Sequence, residues 1–128
     1  MRLLLDTHVL IWWLQKDRRL AHRVRRTLLS AQHSVFVSAA SAWEIATKVR
    51  NGKLKFEPTF LADFDAGVRN LNFEPLLVSA HHAVTGARLP GHHGDPFDRV
   101  LAGQAVVEKL KLVTSDPAMQ SLGVETFW

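Results

Sequence analysis

The chain has 128 residues and a mass of 14.4 kDa, a length that predicts one domain over residues 1–128. Hydrophobic residues make up 47% and charged residues 22% of it, which is typical of a folded globular domain and not of a disordered chain. The longest apolar run, Val9–Leu14, is far shorter than the ~20 residues that cross a bilayer, so we expect no membrane partner. Cys is absent, which excludes disulfides and thiolate metal sites, and we expect a soluble protein of the cytoplasm.

The formal net charge is +4 at pH 7, and the positive charge is concentrated in two short stretches. The first contains Lys16, Arg18, Arg19, Arg23, Arg25 and Arg26, and the second contains Lys48, Arg50, Lys53 and Lys55. Basic patches of this kind raise the local concentration of RNA or DNA. A solvated helix face explains the first stretch equally well, so charge alone leaves both interpretations open.

Apolar segments of strand type and of helix type alternate along the first half of the chain. The pattern predicts a strand over Arg2–Leu5, a helix over Thr7–Gln15, a helix whose apolar face is Leu20, Val24, Leu28 and Leu29, a strand over Val35–Val37 and a helix over Ala39–Arg50. Ser38 is the expected N-cap of the last of these helices, and Asn51-Gly52 is expected to end it.

In the second half, proline and glycine mark the boundaries between the predicted elements. These are a helix after Pro58 carrying Phe60, Phe64, Val68 and Leu71, a strand over Leu76–Val78, a helix over Ser79–Arg88, a loop over Leu89–Gly94, a helix from Pro96 to about Glu108, and strands over Leu112–Thr114 and Val124–Phe127. Strands that alternate with helices predict an α/β fold. We expect a three-layer α/β/α sandwich with a central, mostly parallel sheet of four to five strands.

Five carboxylates stand where the predicted strands end or where the following helices begin. Asp6 follows the first strand, Asp116 follows the fourth, and Glu44 lies in the second turn of the helix after the second strand. Asp95 and Asp98 open the helix after the loop. Open α/β sheets bind their ligands at the carboxyl ends of their strands, so we expect these acids to meet at one edge.

Helix capping is a structural explanation for several of these acids. Asp6, Asp95 and Asp116 each stand where a helix begins, and a proline follows the latter two, as is typical of a cap. Glu44 lies inside an otherwise apolar helix, where capping does not apply, although an exposed helix face would accommodate it. Taken singly, the three aspartates fit a cap at least as well as a catalytic role.

Repulsion between clustered carboxylates favours a bound metal ion. Two carboxylates ~5 Å apart repel each other by roughly 3 kcal/mol at an effective dielectric constant near 20. A divalent cation relieves that repulsion, and oxygen ligands favour Mg²⁺ or Mn²⁺. Such an ion activates water for phosphodiester hydrolysis, while the basic remainder of the chain would hold the polyanion.

Four segments carry the acidic residues in order: Leu3–His8 (LLLDTH), Ser38–Ile45 (SAASAWEI), Asp95–Arg99 (DPFDR) and Val113–Asp116 (VTSD). They resemble the motifs of PIN-domain ribonucleases, and among these the VapC-type toxins of bacterial toxin–antitoxin pairs. The resemblance runs from residue 3 to about residue 127. It implies a PIN-like fold and an endoribonuclease that depends on Mg²⁺ or Mn²⁺ and acts as a toxin.

The resemblance also implies a set of site residues. The catalytic and metal-binding quartet would be Asp6, Glu44, Asp98 and Asp116. Asp95 matches an extra acid that assists the metal site through water, and Thr114 or Ser115 matches a hydroxyl residue that orients water or metal. The implied partners are the RNA substrate, a cognate VapB-type antitoxin whose C-terminal segment occupies the active-site groove, and a second copy of the chain in a homodimer. His8 stands where many members carry a serine or another small polar residue, and we assign it no role.

Other functions explain parts of the sequence. A non-catalytic module could hold RNA or DNA through the basic helix, with the acids as caps and surface charge. An aspartyl-phosphate domain usually has a second Asp two residues after the first, where His8 stands instead. The pairs His81-His82 and His92-His93 lack the spacing of a helical zinc site, although the second pair could touch RNA from its loop.

Overall fold

The structure, a computed structural model, describes residues 1–128 and is built around a five-stranded sheet in which every neighbouring pair of strands is parallel. The strands are β1 (Arg2–Leu5), β2 (Ser34–Ser38), β3 (Glu74–Leu76), β4 (Lys111–Val113) and β5 (Thr126–Phe127), in the spatial order β3-β2-β1-β4-β5. The helices are α1 (Thr7–Gln15), α2 (His22–Leu29), α3 (Ala39–Arg50), α4 (Pro58–Ala62), α5 (Phe64–Asn70), α6 (Ala80–Arg88) and α7 (Pro96–Glu108), with a 3₁₀ helix at Pro117–Leu122.

Alternating side chains of β1 divide the hydrophobic core into two clusters on opposite faces of the sheet. Leu3 and Leu5 pack with α1 and α2 on one face, whereas Leu4 packs with α7 and the 3₁₀ helix on the other. All three leucines are fully buried, because a parallel sheet is covered on both faces. The predicted three-layer α/β/α sandwich is confirmed, and its sheet is wholly parallel.

The last two strands lie at Lys111–Val113 and Thr126–Phe127, one or two residues from their predicted bounds, and two other predicted elements differ more. The third strand covers Glu74–Leu76, not Leu76–Val78: its register with β2 starts at Glu74, and Leu77 and Val78 lie beyond the last paired residue with side chains 75% and 39% exposed. The single helix predicted after Pro58 is two helices, α4 and α5. Asp63 separates them, because its extended backbone breaks the helix and its carboxylate accepts a hydrogen bond from the Ala66 N–H to cap α5.

The carboxyl ends of the strands bring distant parts of the sequence to one edge of the sheet, here called the acidic edge. The Asp6 backbone N–H donates to the Val113 carbonyl at 3.0 Å, which joins the end of β1 to the end of β4. The buried Thr7 and Ser41 hydroxyls are 2.9 Å apart and join the first turns of α1 and α3. The longest helix, α7, has 13 residues, and none of the helices is a candidate membrane-spanning segment.

Candidate active site

Thr114 connects two of the predicted site carboxylates. Its hydroxyl donates to Asp6 Oδ2 at 2.7 Å and accepts a hydrogen bond from the Asp116 N–H at 3.0 Å. Asp6 is only 4% exposed, and its Oδ1 accepts from the Thr7 N–H at 2.8 Å. The Thr114 hydroxyl therefore fixes the Asp6 carboxylate and the start of the Asp116 turn relative to each other.

Three side chains with metal-ligating atoms form the tightest group at the acidic edge. His93, Asp98 and Asp116 each offer a ligand atom, and these atoms lie within 4.8 Å of one another. His93 Nε2 is 2.6 Å from Asp98 Oδ2, so the imidazole and this carboxylate are directly hydrogen-bonded. Asp98 and Asp116 were predicted to meet here; His93 was predicted only to touch RNA.

The capping interpretation and the site interpretation apply to the same aspartates. Asp95 caps α7 by accepting hydrogen bonds from the N–H groups of Phe97 and Asp98, and Asp116 caps the 3₁₀ helix through the Ala118 N–H. Each cap uses Oδ1 of its carboxylate. Because one oxygen serves the helix, the second remains for another ligand, so capping does not compete with metal binding.

Glu44 approaches the acidic edge from α3, one turn after Ser41. Its Oε2 accepts a hydrogen bond from Lys48 Nζ at 3.0 Å, which forms an ion pair along the helix. Glu44, Asp6 and Asp95 lie outside the 4.8 Å group. The charge of Glu44 nevertheless reaches Asp6, since it contributes to raising the pKa of that carboxyl.

Burial and like charge act together on the carboxylates. Burial is the main cause that raises the pKa of Asp98 to about 6; the charges of Asp6 and Asp95 add to the rise, and the hydrogen bond from His93 opposes it. The pKa of Asp6 is also raised, mainly by burial, while His8 and Thr114 oppose the rise. A divalent cation would replace the missing solvation and neutralise the repulsion, so this set of donors fits one.

His8 and Ser115 form a polar pair beside the buried aspartate. His8 Nε2 lies 3.1 Å from the Ser115 hydroxyl, and its Nδ1 lies 3.4 Å from Asp6 Oδ2. Ser115 thus contacts the imidazole, whereas Thr114 contacts the carboxylate, so Thr114 is the better placed of the two predicted hydroxyl residues. His8, to which we assigned no role from the sequence, is oriented toward Asp6.

Arg99 holds the loop that carries His93. Its guanidinium donates to four backbone carbonyls, those of His93 (2.6 Å), Gly86 (3.2 Å), Leu89 (3.0 Å) and Gly91 (2.9 Å). These bonds tie the end of α6 and the following loop to the first turn of α7. The sequence signal for His93 was its position in the loop beside Asp95, but its contact with Asp98 depends on how Arg99 holds this loop.

The other histidine pair and a cavity at the opposite ends of the strands lie away from the acidic edge. His82 uses both ring nitrogens: Nδ1 accepts from the Ser79 N–H, and Nε2 pairs with Glu108 Oε1 at 2.9 Å. A cavity of about 660 Å³ opens at the amino ends of the strands and includes Arg2 and Lys111. Its lining holds one carboxylate, Glu125, and so lacks the acids of the candidate site.

Comparison with known proteins identifies the family. Ribonuclease VapC22 of Mycobacterium tuberculosis is 28% identical over 122 residues, which cover 92% of this chain and 89% of that protein. VapBC2 from Rickettsia felis, solved bound to a DNA fragment from its promoter, shares the fold with a TM-score of 0.72 at 18% identity, over 98% of this chain and 96% of that one. FitAcB from Neisseria gonorrhoeae shares it with a TM-score of 0.69 at 21% identity and the same coverage. The family model of the PIN domain matches residues 3–125, and the chain therefore belongs to the PIN-domain family.

Proposed function

We propose that the protein is a metal-dependent endoribonuclease that acts as the toxin of a toxin–antitoxin pair. The observation that carries the proposal is the meeting of His93, Asp98 and Asp116 within 4.8 Å, beside the buried Asp6, at the carboxyl ends of a parallel sheet. Membership of the PIN-domain family and the similarity to a protein named as a ribonuclease support it. In this proposal residues 1–128 act as one domain in the cytoplasm, where RNA is available.

The residues proposed to hold the metal are carboxylates from four separate segments. Asp6, Glu44, Asp98 and Asp116 act as the catalytic and metal-binding set, and Asp95 contributes through water. A bound Mg²⁺ or Mn²⁺ would lower the pKa of water and neutralise charge on the phosphodiester.

The chain's own side chains orient these carboxylates for hydrolysis. The Thr114 hydroxyl holds Asp6 Oδ2 in place, and His93 Nε2 holds Asp98 Oδ2. His8 and Ser115 lie at the rim of the site, where they are within reach of a phosphate of the bound RNA. Without metal the clustered carboxylates would repel the RNA backbone, so cleavage should require the ion.

Removal of a predicted ligand tests the proposal directly. Asp6→Asn and Glu44→Gln should each reduce metal-dependent cleavage of RNA by about 100-fold or more, because each removes a charge that holds the ion. The measurement is cleavage of a labelled RNA in Mg²⁺ or Mn²⁺, with EDTA as a blank. Glu125→Gln is the matched control, since this exposed carboxylate lies at the opposite edge of the sheet. Cleavage that survives both site substitutions, or that resists EDTA, would contradict the proposal.

The basic residues between Lys16 and Arg26 support a second candidate function, a nucleic-acid-binding module without catalysis. Such a module would bind RNA or DNA in a salt-dependent way, with the same affinity in EDTA and in Mn²⁺. Asp6→Asn and Glu44→Gln would not weaken its binding. The cleavage assay and a parallel binding assay therefore separate the two functions.

We also propose two protein partners, a VapB-type antitoxin and a second copy of the chain. The similarity to a protein named VapC22 and to the fold of VapBC2 supports the first. A small reading frame beside the gene should encode the antitoxin, and its product should block cleavage when it is mixed with this protein. The mass of the purified chain in solution tests the homodimer.

A further inference from the structure

Aromatic rings form a continuous row that starts at the acidic edge. The His8 ring, which contacts Ser115 and Asp6, lies 4.7 Å from the Trp12 ring, edge to face. The Trp12 ring in turn lies 6.0 Å from the Trp128 ring. All three rings are partly exposed, and Trp12 and Trp128 also pack against the hydrophobic core.

Two arginines extend this row with positive charge. The Arg19 guanidinium lies 4.8 Å from the centre of the Trp12 ring, and the Arg23 guanidinium lies 4.7 Å from the centre of the Phe127 ring. Asp17 fixes Arg19 through two hydrogen bonds, of 3.1 and 2.8 Å, to its guanidinium. Arg23 is exposed and takes part in none of the ion pairs, so its charge remains available. We call His8, Trp12, Trp128, Arg19, Phe127 and Arg23 the Trp12 track.

The sheet explains why the Trp12 track reaches the acids. Phe127 is the last paired residue of β5, opposite Val113, and its carbonyl accepts from the Thr114 N–H at 3.2 Å. Trp128 therefore lies at the carboxyl end of β5, next to the end of β4, after which the chain continues through Thr114 to Asp116. A ligand strand that leaves the acidic edge over His8 meets the Trp12 ring, over which Arg19 lies, and then the Trp128 ring.

We propose that the Trp12 track binds the single-stranded segment of RNA that flanks the scissile phosphate; this rests on the proposed function. Unpaired bases stack on the exposed aromatic faces, and the guanidinium groups contact the phosphates between them. A perfect duplex keeps its bases stacked on each other and cannot use these rings. The track therefore selects single-stranded over double-stranded RNA.

Binding without cleavage tests this surface separately from catalysis. The affinity of the wild-type protein for a fluorescently labelled single-stranded oligoribonucleotide is measured by anisotropy in EDTA over a range of salt concentrations. Trp12→Leu should weaken binding about fivefold or more and leave the salt dependence unchanged, because stacking is not ionic. Arg23→Gln should weaken binding and lower the slope of log affinity against log salt by about 0.7, the value for one phosphate contact on a single strand.

A matched control and a duplex complete the experiment. Lys53→Gln removes an exposed cation just beyond the C-terminus of α3, about 18 Å along that helix from the acidic edge, and should leave affinity close to that of the wild type. The duplex of the same sequence should bind Trp12→Leu and wild type equally. Circular dichroism checks whether Trp12→Leu is folded. If it is not, the affinity and salt dependence of Arg23→Gln still test the proposal, because the Arg23 side chain is exposed.

Three outcomes would overturn the Trp12 track. In the first, Trp12→Leu and Arg23→Gln bind the single strand as tightly as the wild type does, as expected if the surface binds a protein partner instead. In the second, Lys53→Gln weakens binding as much as Arg23→Gln does. In the third, the wild type binds the duplex as tightly as the single strand, and Trp12→Leu loses as much affinity for the duplex as for the single strand. Failure of the proposed function looks different. In that case the wild type would cleave no RNA in Mn²⁺, while the two variants would still lose affinity in EDTA.

Discussion

At the scale of single residues, ionisation of the Asp98 carboxyl acts against the stability of the fold. Burial and the charges of Asp6 and Asp95 raise the pKa of Asp98 to about 6, well above its ordinary value of 3.8. A group whose folded pKa is raised binds its proton more tightly in the folded state, so its ionisation costs folding free energy. The hydrogen bond to Asp98 likewise raises the pKa of His93, whose stabilising contribution is lost as the pH rises.

The stability of the metal-free protein should therefore fall as the pH rises from about 4 through 6. Asp98→Asn removes the ionised carboxylate, so this variant should be more stable than the wild type at pH 7 by about 1–3 kcal/mol and equal to it near pH 4. Urea unfolding at a series of pH values in EDTA measures this, with Glu125→Gln as the control. A variant that is less stable at pH 7, or a difference that does not change with pH, would refute this account of Asp98.

At the scale of elements, the layer that positions His93 and Asp98 depends on the close approach of α6 and α7. A Cβ atom at Gly103 would collide with the His82 carbonyl and come within 2.6 Å of the Gly86 nitrogen. Both obstacles are backbone, so neither helix can move aside without shifting the other. Arg99 then fixes the loop at the end of α6 against the start of α7.

Gly103→Ala should destabilise the protein by about 1–3 kcal/mol, because the collision outweighs the better helix propensity of alanine, which is about 1 kcal/mol. Thermal unfolding followed by circular dichroism measures the loss. Gly94→Ala is the matched control, since a Cβ there meets no atom within 4 Å, and its stability should stay close to that of the wild type. Equal melting temperatures for the two variants would show that the helices can separate at no cost.

The elements also show what the sequence could predict. The alternation of strand-type and helix-type segments was enough to predict the three layers, because it indicates a parallel sheet that helices cover on both faces. Composition alone favoured Leu76–Val78 as a strand, but the partner register places β3 at Glu74–Leu76 and leaves Leu77 in solvent. Similarly, helical spacing continued across Asp63, whose backbone conformation separates α4 from α5.

The sequence predicted which site residues meet only where the fold class determines the positions of those residues. Asp6 and Asp116 follow neighbouring parallel strands, so their approach follows from the topology. His93 reaches Asp98 from a loop held by the backbone contacts of Arg99, and no periodic pattern encodes such contacts. The catalytic and metal-binding roles of Asp6, Glu44, Asp95, Asp98, Asp116, Thr114 and Ser115 remain predictions.

At the scale of the whole molecule, the acids lie at the point of the sheet where the strand order reverses. The chain builds β2 and β3 on one side of β1 and places β4 and β5 on the other, so the crossover connections reverse between β1 and β4. Open α/β sheets bind ligands in the crevice at this point, outside the carboxyl ends of the strands. Asp6 at the end of β1 and Thr114 after β4 flank that crevice and are joined by a hydrogen bond.

Anomalous diffraction from crystals soaked in Mn²⁺ tests most directly whether this crevice is one metal site. We predict a peak between the Asp98 and Asp116 carboxylates, on the side of Asp6, that disappears in crystals of the Asp116→Asn variant. A soaked crystal with no peak at the carboxyl ends of β1 and β4, or with its peak among other residues, would contradict the account.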